Sequence, residues 1–558
     1  MTWSGGRGGA AAEIKGRARV EAVFYNGKLY TLDAELPRAE AVAVGGGRIV
    51  TVGDSRELLA TCGPQAQRFD LGQKTVIPGL IDAHAHFMGY AKVKEKVDLV
   101  GTKSFTEVLD RLTDRLRSAG EGAWIVGRGW DQNDWPDPHF PGKGALDSLA
   151  PNNPVFLVRV CGHAAVANSE ALRLAGITGT TIDPGGGKIV RDGNGVPTGL
   201  LIDNAIDLVS DAVPTLTRQQ KRLLIRQAAR ECLSTGLVGV HEMGVGSETI
   251  SIYRELFDRE ELPFRLTLYF SNDEEDLDSL LAAGPLRGYA DNRLSVVGVK
   301  FYADGSLGAR SAALLEDYSD DPGNRGIVVE DPETLYRRIM RCHRKGFQTA
   351  THAIGDGGNR MMLDILERIL AEYPASDMRH RVEHAQVIAP EDIGRFARLG
   401  VLPSMQFTHC TSDMPWAGAR LGEQRLAGAY AWRSLVSSGC RIPGGSDFPV
   451  ESIDPLLGIY AAVTRMDRGG SPPGGWIPDQ CLTVDEAVRA FSIDAAYAAH
   501  EEDLRGTITP GKLADFIVLS EDIMRIEPER IPDIRVLATI LGGEIVFEAP
   551  DAPFGRNR

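Results

Sequence analysis

The strongest constraint on how this chain can fold is a rhythm. Eight short apolar runs alternate with helical stretches: "VIPGLIDAHAH" (76–86), "GLVGVHEM" (236–243), "FRLTLYF" (264–270), "LSVVGVKFYADG" (294–305), "FQTATHAIGD" (347–356), "HRVEHAQ" (380–386), "LPSMQF" (402–407) and "RIPGGSDFP" (441–449). Between them lie segments such as "TLYRRIMRCHRKG" and "NRMMLDILERILAEYP", which end in Gly or Pro as helices do. Strands that alternate with helices build parallel βαβ units. Eight such units imply an α/β chain folded as a (β/α)8 TIM-type barrel, with its chemistry at the C-terminal ends of the strands.

Two features depart from a bare barrel. Residues 87–235, between the first two strands, are far more than one crossover requires, and they include the Pro-, Gly- and aromatic-rich "GRGWDQNDWPDPHFPGKG". An inserted lid subdomain over about 90–235, covering the barrel mouth, is expected. Both chain ends read as hairpins: "AVFYNGKLYTL" turns at Asn26-Gly27, and "VLATILGGEIVFE" turns at Gly542-Gly543. Isolated hairpins are marginal in water, so the two ends should pair into one small β domain. The expected division is a disordered lead at 1–17, β structure at 18–75 and 501–558, and the barrel at 76–500.

Charge and cysteine usage narrow the class. A net charge of −15 repels nucleic acid and anionic membrane surfaces, so neither is expected as a partner. The 7 cysteines are dispersed without CxxC spacing, which reads as reduced thiols. The first 20 residues hold no apolar signal core, and no run reaches the ~18 apolar residues of a membrane span. A cytoplasmic protein is expected.

Ionisable residues gather at the strand ends. His84 and His86 end the first run, Lys300 lies in the fourth, His352 and His384 end the fifth and sixth, and Asp447 ends the eighth. Side chains on a strand alternate with period two, so His84 and His86 project to the same side and can converge on one metal ion. Imidazole and carboxylate suit Zn²⁺ and similar cations. A single histidine at a strand end is ordinarily a hydrogen-bonding core residue; it is the set that points to a metal.

The segments "PGLIDAHAH", "VKFYADGSLGAR", "THAIGD", "RVEHAQ" and "GSDFPV", in this order, resemble the amidohydrolase superfamily, and within it amidohydrolase family 3, the YtcJ-like branch. The resemblance covers residues 20–548 and implies that the end-paired domain is a β-sandwich. It also implies two divalent metal ions, with Zn²⁺ the default. His84, His86 and Asp447 would hold the more buried ion, His352 and His384 the second, and a Lys300 carboxylated by CO₂ would bridge them. The alternative for Lys300 is an ion pair with Asp304 or Glu242 in a single-metal site. By the same resemblance Asp447 is the catalytic proton shuttle, the protein is a homodimer, and "GRGWDQNDW" and "RVCGHAAVANSEAL" contribute Trp130, Asp131 and His163 to the substrate pocket. Trp416 would add an aromatic wall.

The activity implied is hydrolysis of a small-molecule amide, an N-acyl or N-formyl amine. Cyclic amides, carbamates, amidine deamination, decarboxylation and a non-catalytic regulatory barrel stay open at this point.

Overall fold

The structure, a computed structural model, describes residues 19–375 and 377–554. The expected lead at 1–17 lies outside the described residues. Eight strands form the barrel: β1 Leu80–Ala85, β2 Leu237–Val245, β3 Arg265–Ser271, β4 Leu294–Tyr302, β5 Gln348–Ala353, β6 Arg381–His384, β7 Leu402–Gln406 and β8 Gly444–Gly445, and a ninth, Leu286–Gly288, pairs antiparallel with β4 beside it. The order of the eight in space is their order in sequence, and every neighbouring pair among them is parallel. The sheet closes where Asp447 N–H donates to the His84 carbonyl and His86 N–H donates to the Phe448 carbonyl, each at 2.8 Å. The Asp82 carboxylate adds a second tie, accepting the Ser446 hydroxyl at 2.6 Å. All of β1 is buried, and all of β4 except Tyr302. A parallel sheet covered on both faces demands near-continuous apolar strands, which is why the runs were legible.

Two of those runs are divided differently. The stretch 76–86 breaks at Gly79. Thr75–Pro78 pairs antiparallel with Phe516–Leu519, and only Leu80 onward enters the barrel. A Cβ on Gly79 would stand 2.5 Å from Val238, so the crossing point admits no side chain. The last run, 441–449, contains only two strand residues. A Cβ on Gly445 would lie 2.6 Å from the His84 nitrogen. β8 can approach β1 closely because it has no side chain there.

The chain ends form two sheets. Arg48–Gly53, Ala41–Gly45, Ala22–Tyr25 and Gln67–Asp70 make a four-stranded one. The other, six-stranded, joins Lys28–Tyr30, Arg38–Ala39 and Thr75–Pro78 to Phe516–Leu519, Val536–Leu541 and Glu544–Glu548. Phe24, Val42, Val76, Phe516 and Ile540 share the core between them. Strands from both ends of the chain therefore build one β-sandwich.

Gly89–Ile225 is a compact unit of its own. Its six-stranded sheet includes Ile125–Trp130 beside Val155–Arg159, and it carries two apolar clusters, one around Leu112, Trp130 and Leu157, the other around Phe156, Leu172 and Leu201. Among the described residues, no helix is long and apolar enough to cross a membrane.

Candidate metal centre

At the C-terminal end of β1, His84 is fully buried, and its Nδ1–H donates to the Glu383 carboxylate at 2.5 Å. That fixes the tautomer and leaves Nε2 as a lone pair with no hydrogen-bond partner. His86 donates Nδ1–H to the Met243 carbonyl at 3.1 Å, and its Nε2 also faces inward. The two Nε2 atoms lie 3.5 and 3.2 Å from Asp447 Oδ1. Asp447 adopts a left-handed backbone, φ 61°, which turns its carboxylate to the histidines just beyond β8.

Opposite them, His384 ends β6 with φ 73° and donates Nδ1–H to Gln406 Oε1 at 2.6 Å. Its ring centroid is 4.8 Å from that of His84 and 4.5 Å from that of His352. His352 places Nε2 3.2 Å from the Gly305 carbonyl, so Nε2 carries the proton and Nδ1 the lone pair. His84 and His384 therefore each have Nδ1 held by a defined outer partner and Nε2 left free for a cation, the arrangement that metal-binding histidines need, while His86 Nε2 lies against Asp447.

Electrostatics keep His84, His352 and His384 neutral. Burial, with the Lys300 ammonium next, lowers His84 to about 4 and His352 to about 3. Burial, then His352, pushes His384 well below its usual value. Burial pushes the Asp447 carboxyl up, but the His86 hydrogen bond and the surrounding imidazoles prevail and hold it at about 2. At neutral pH His84, His352 and His384 are neutral beside the Asp447 carboxylate, a combination that suits a cation.

Lys300 is 1% exposed in β4, and burial lowers it to about 8. It forms no ion pair within 4 Å among the described residues; the Tyr302 ring centroid lies 5.2 Å from Nζ, and the Glu383 and Asp447 carboxylates favour its charge. Neither proposed counter-ion is paired with it. The Asp304 carboxylate accepts the backbone N–H groups of Ala313, Ile354 and Gly355 at 2.8–2.9 Å, and Glu242 accepts the Met88 N–H at 2.7 Å. Both acids stabilise loops at the strand ends.

Two triads could each hold a cation. One is His84, His86 and Asp447; the other is His384, His409 and Asp447, and within each the ligand atoms lie no more than 4.8 Å apart. His409 was not among the residues singled out from the sequence. It follows β7 by three residues, in the first turn of the helix Phe407–Arg425. Asking which titratable residues follow each strand within one helical turn would have found it. Glu383 and Arg381 were also missed. They lie two apart on β6, face the barrel interior and pair at 2.7 Å, both fully buried. The guanidinium outweighs burial and holds the Glu383 carboxyl well below the usual carboxylate range.

The expected pocket residues are corrected in part. Trp130 is 1% exposed, packs 5.9 Å from the Trp135 ring and donates Nε1–H to the Leu157 carbonyl at 3.0 Å. It is core of the inserted unit and unavailable to a substrate, because a central strand buries whichever aromatic it carries against the adjoining helices. Asp131 caps the following turn, accepting the Asn133 N–H at 2.9 Å, and pairs with Arg159. His163 is exposed, its Nδ1 3.0 Å from Asp203. Trp416 is half-buried, 5.6 Å from the Arg420 guanidinium. Tyr302, at the end of β4 and 5.9 Å from the His352 ring, is an aromatic at the site that the sequence reading passed over.

The description of the amidohydrolase family fits residues 67–547. YtcJ of Bacillus subtilis (strain 168) is 36% identical over 95% of this chain and 100% of its own length. An N-substituted formamide deformylase of Arthrobacter pascens is 29% identical over 94% of this chain and 98% of its own. Among solved structures, an uncharacterized metal-dependent hydrolase of Pyrococcus horikoshii OT3 superposes with a TM-score of 0.74 at 29% identity, covering 91% of this chain and 99% of that one. With its barrel, its histidine pair on β1 and its aspartate after β8, the chain belongs to the amidohydrolase family and is a hydrolase of carbon–nitrogen bonds.

Proposed function

We propose that the enzyme hydrolyses the amide bond of an N-acyl or N-formyl amine, using two divalent cations. The observation that carries this reading is Asp447, a carboxylate shared by two histidine sets whose buried nitrogens include His84 Nε2 with no partner of its own. An orphaned buried acceptor costs ~1–3 kcal/mol, so a site that keeps several of them side by side is built for a cation.

His84, His86 and Asp447 would hold one ion and His352 and His384 the other, with Lys300 as a bridging carbamate. The lysine supports this by forming no close ion pair among the described residues and by a pKa near 8, since only the neutral amine adds CO₂. Zn²⁺ is the choice that fits mixed imidazole and carboxylate donors. When bound, such ions supply Lewis acidity and lower the pKa of water from 15.7 towards ~7.

Asp447 accepts the proton of the attacking water and returns it to the leaving nitrogen, so that amide and water yield carboxylic acid and amine. His84 stays neutral throughout, held by Glu383. Tyr302 offers an aromatic face beside His352, which favours a lipophilic or aromatic acyl group or amine. The similarity to a formamide deformylase points to small acyl groups. A cytoplasmic setting agrees with seven free thiols.

The test is metal analysis of the native protein, followed by a panel of N-formyl and N-acetyl amines assayed for released amine. Two metals per chain and turnover of formamides are expected, and His84→Ala or His86→Ala should lose metal and activity while still folding. Protein that binds no divalent metal, or His variants that retain both, would refute the reading.

A further inference from the structure

We infer that His409, from the helix that follows β7, is a ligand of the second cation. The inference rests on the two-ion reading above and adds to it a donor from a strand that otherwise gives the centre none.

Three observations converge. His409 Nε2 is buried, has no hydrogen-bond partner, and lies 3.9 Å from Asp447 Oδ2, the oxygen not engaged by His84 and His86. Its ring lies nearly parallel to that of His384, centroids 5.8 Å apart and planes 18° apart, so the two imidazoles present their edges to the same space. His384, His409 and Asp447 each offer one donor atom, all within 4.8 Å of one another.

The local structure explains why both histidines arrive together. Gln406 ends β7 and occupies the N-cap position of the helix Phe407–Arg425. Its Oε1 accepts the His384 Nδ1–H at 2.6 Å, while its Nε2–H donates to the Ser404 carbonyl at 3.3 Å. One end of one strand therefore orients the β6 histidine through Gln406 and carries its own histidine three residues on. His384 is left with Nε2 as its bare nitrogen, and His409 Nε2 is bare as well.

A hydrogen-bonding or packing role explains this less well. A buried imidazole that serves only packing donates or accepts at both nitrogens where it can, and leaving Nε2 orphaned against a carboxylate and a second histidine costs energy with nothing in return. A cation between them satisfies His384, His409 and Asp447 together. The coordination number then rises without any further acidic residue.

Metal content of His409→Ala and His409→Gln, purified like the wild type and titrated against a competing chelator, tests the inference. Wild-type protein should hold two ions. Each variant should hold one, or should release the weaker ion to chelator at least ~10-fold more readily, the scale on which ligand-shell changes act. Circular dichroism and chelator-free thermal unfolding establish that the variants fold. A second measurement needs no variant: diethylpyrocarbonate labelling of the wild type, mapped by mass spectrometry, should modify His409 markedly more slowly in metal-loaded than in metal-stripped protein. Wild type and variants with two ions each and equal chelator curves, or equal His409 labelling with and without metal, would overturn the assignment. A wild type without metal would instead overturn the two-ion reading on which it rests.

Discussion

Replacing Glu383 by Gln isolates the outer support of the centre from its ligands. The side chain keeps its shape and loses its charge. Glu383 accepts one N–H from Arg381 at 3.1 Å, stands in an ion pair with its Nε at 2.7 Å, and accepts the His84 Nδ1–H at 2.5 Å, all three residues being fully buried. Removing one partner of a buried ion pair costs ~3–5 kcal/mol, because the remaining charge is left uncompensated. Arg381 retains His241 Nδ1 at 2.9 Å, Tyr269 Oη at 3.0 Å, Ser404 Oγ at 2.8 Å and the Ala83 carbonyl at 2.5 Å. Those neutral acceptors place the loss at the low end, ~3 kcal/mol. His84 exchanges a charge-assisted bond for a neutral one of roughly half the strength, which should weaken metal binding ~10–100-fold. Denaturant titration of the metal-free protein reads the first effect, and chelator competition with elemental analysis reads the second. Stability within ~0.5 kcal/mol of wild type together with metal affinity within ~2-fold would refute the reasoning.

Three further substitutions probe separate parts of the molecule. Lys300→Ala should lose at least one metal, and short carboxylic acids added to the assay should restore part of the activity by replacing the carbamate; a variant with both metals and normal rates would make Lys300 structural. Asp447→Asn should leave KM near wild type and cut kcat by at least ~10³, and retention of more than about a tenth of kcat would remove the proton-shuttle role. Asp515 accepts Arg265 Nε–H at 2.6 Å and a second guanidinium N–H at 2.8 Å, in burial. Burial raises its carboxyl, but Arg265 prevails and holds it below the ordinary value. Its stabilisation is therefore present above the unfolded pKa of ~3.9 and is lost as pH falls through the lower folded value. Asp515→Asn should destabilise the protein by ~3–5 kcal/mol at neutral pH and flatten the stability profile below about pH 4; a profile identical to wild type would refute the pairing.

What the sequence determined by itself is what period and composition encode. Eight apolar runs separated by helices specify a parallel barrel, because a strand buried on both faces can hold almost nothing else. The HxH spacing of His84 and His86 put both rings on one side, since alternation along a strand is local geometry. The pairing of the chain ends followed from hairpins that could not be stable alone. Tertiary structure decided the rest. Whether Trp130 faced a ligand or a core depended on what packs against Ile125–Trp130, and no local pattern records that. The break at Gly79 came from the approach of Val238, 159 positions away (238 − 79). Lys300 reads as a strand lysine like any other until the structure shows that Asp304 and Glu242 serve backbone N–H groups rather than pairing with it. His409 carries no motif at all; it joins Asp447 only because β7 and β8 are neighbours in the closed sheet, and closure is a property of all eight strands together. Spacing fixes which side chains share a face, and only the packed barrel fixes which faces meet.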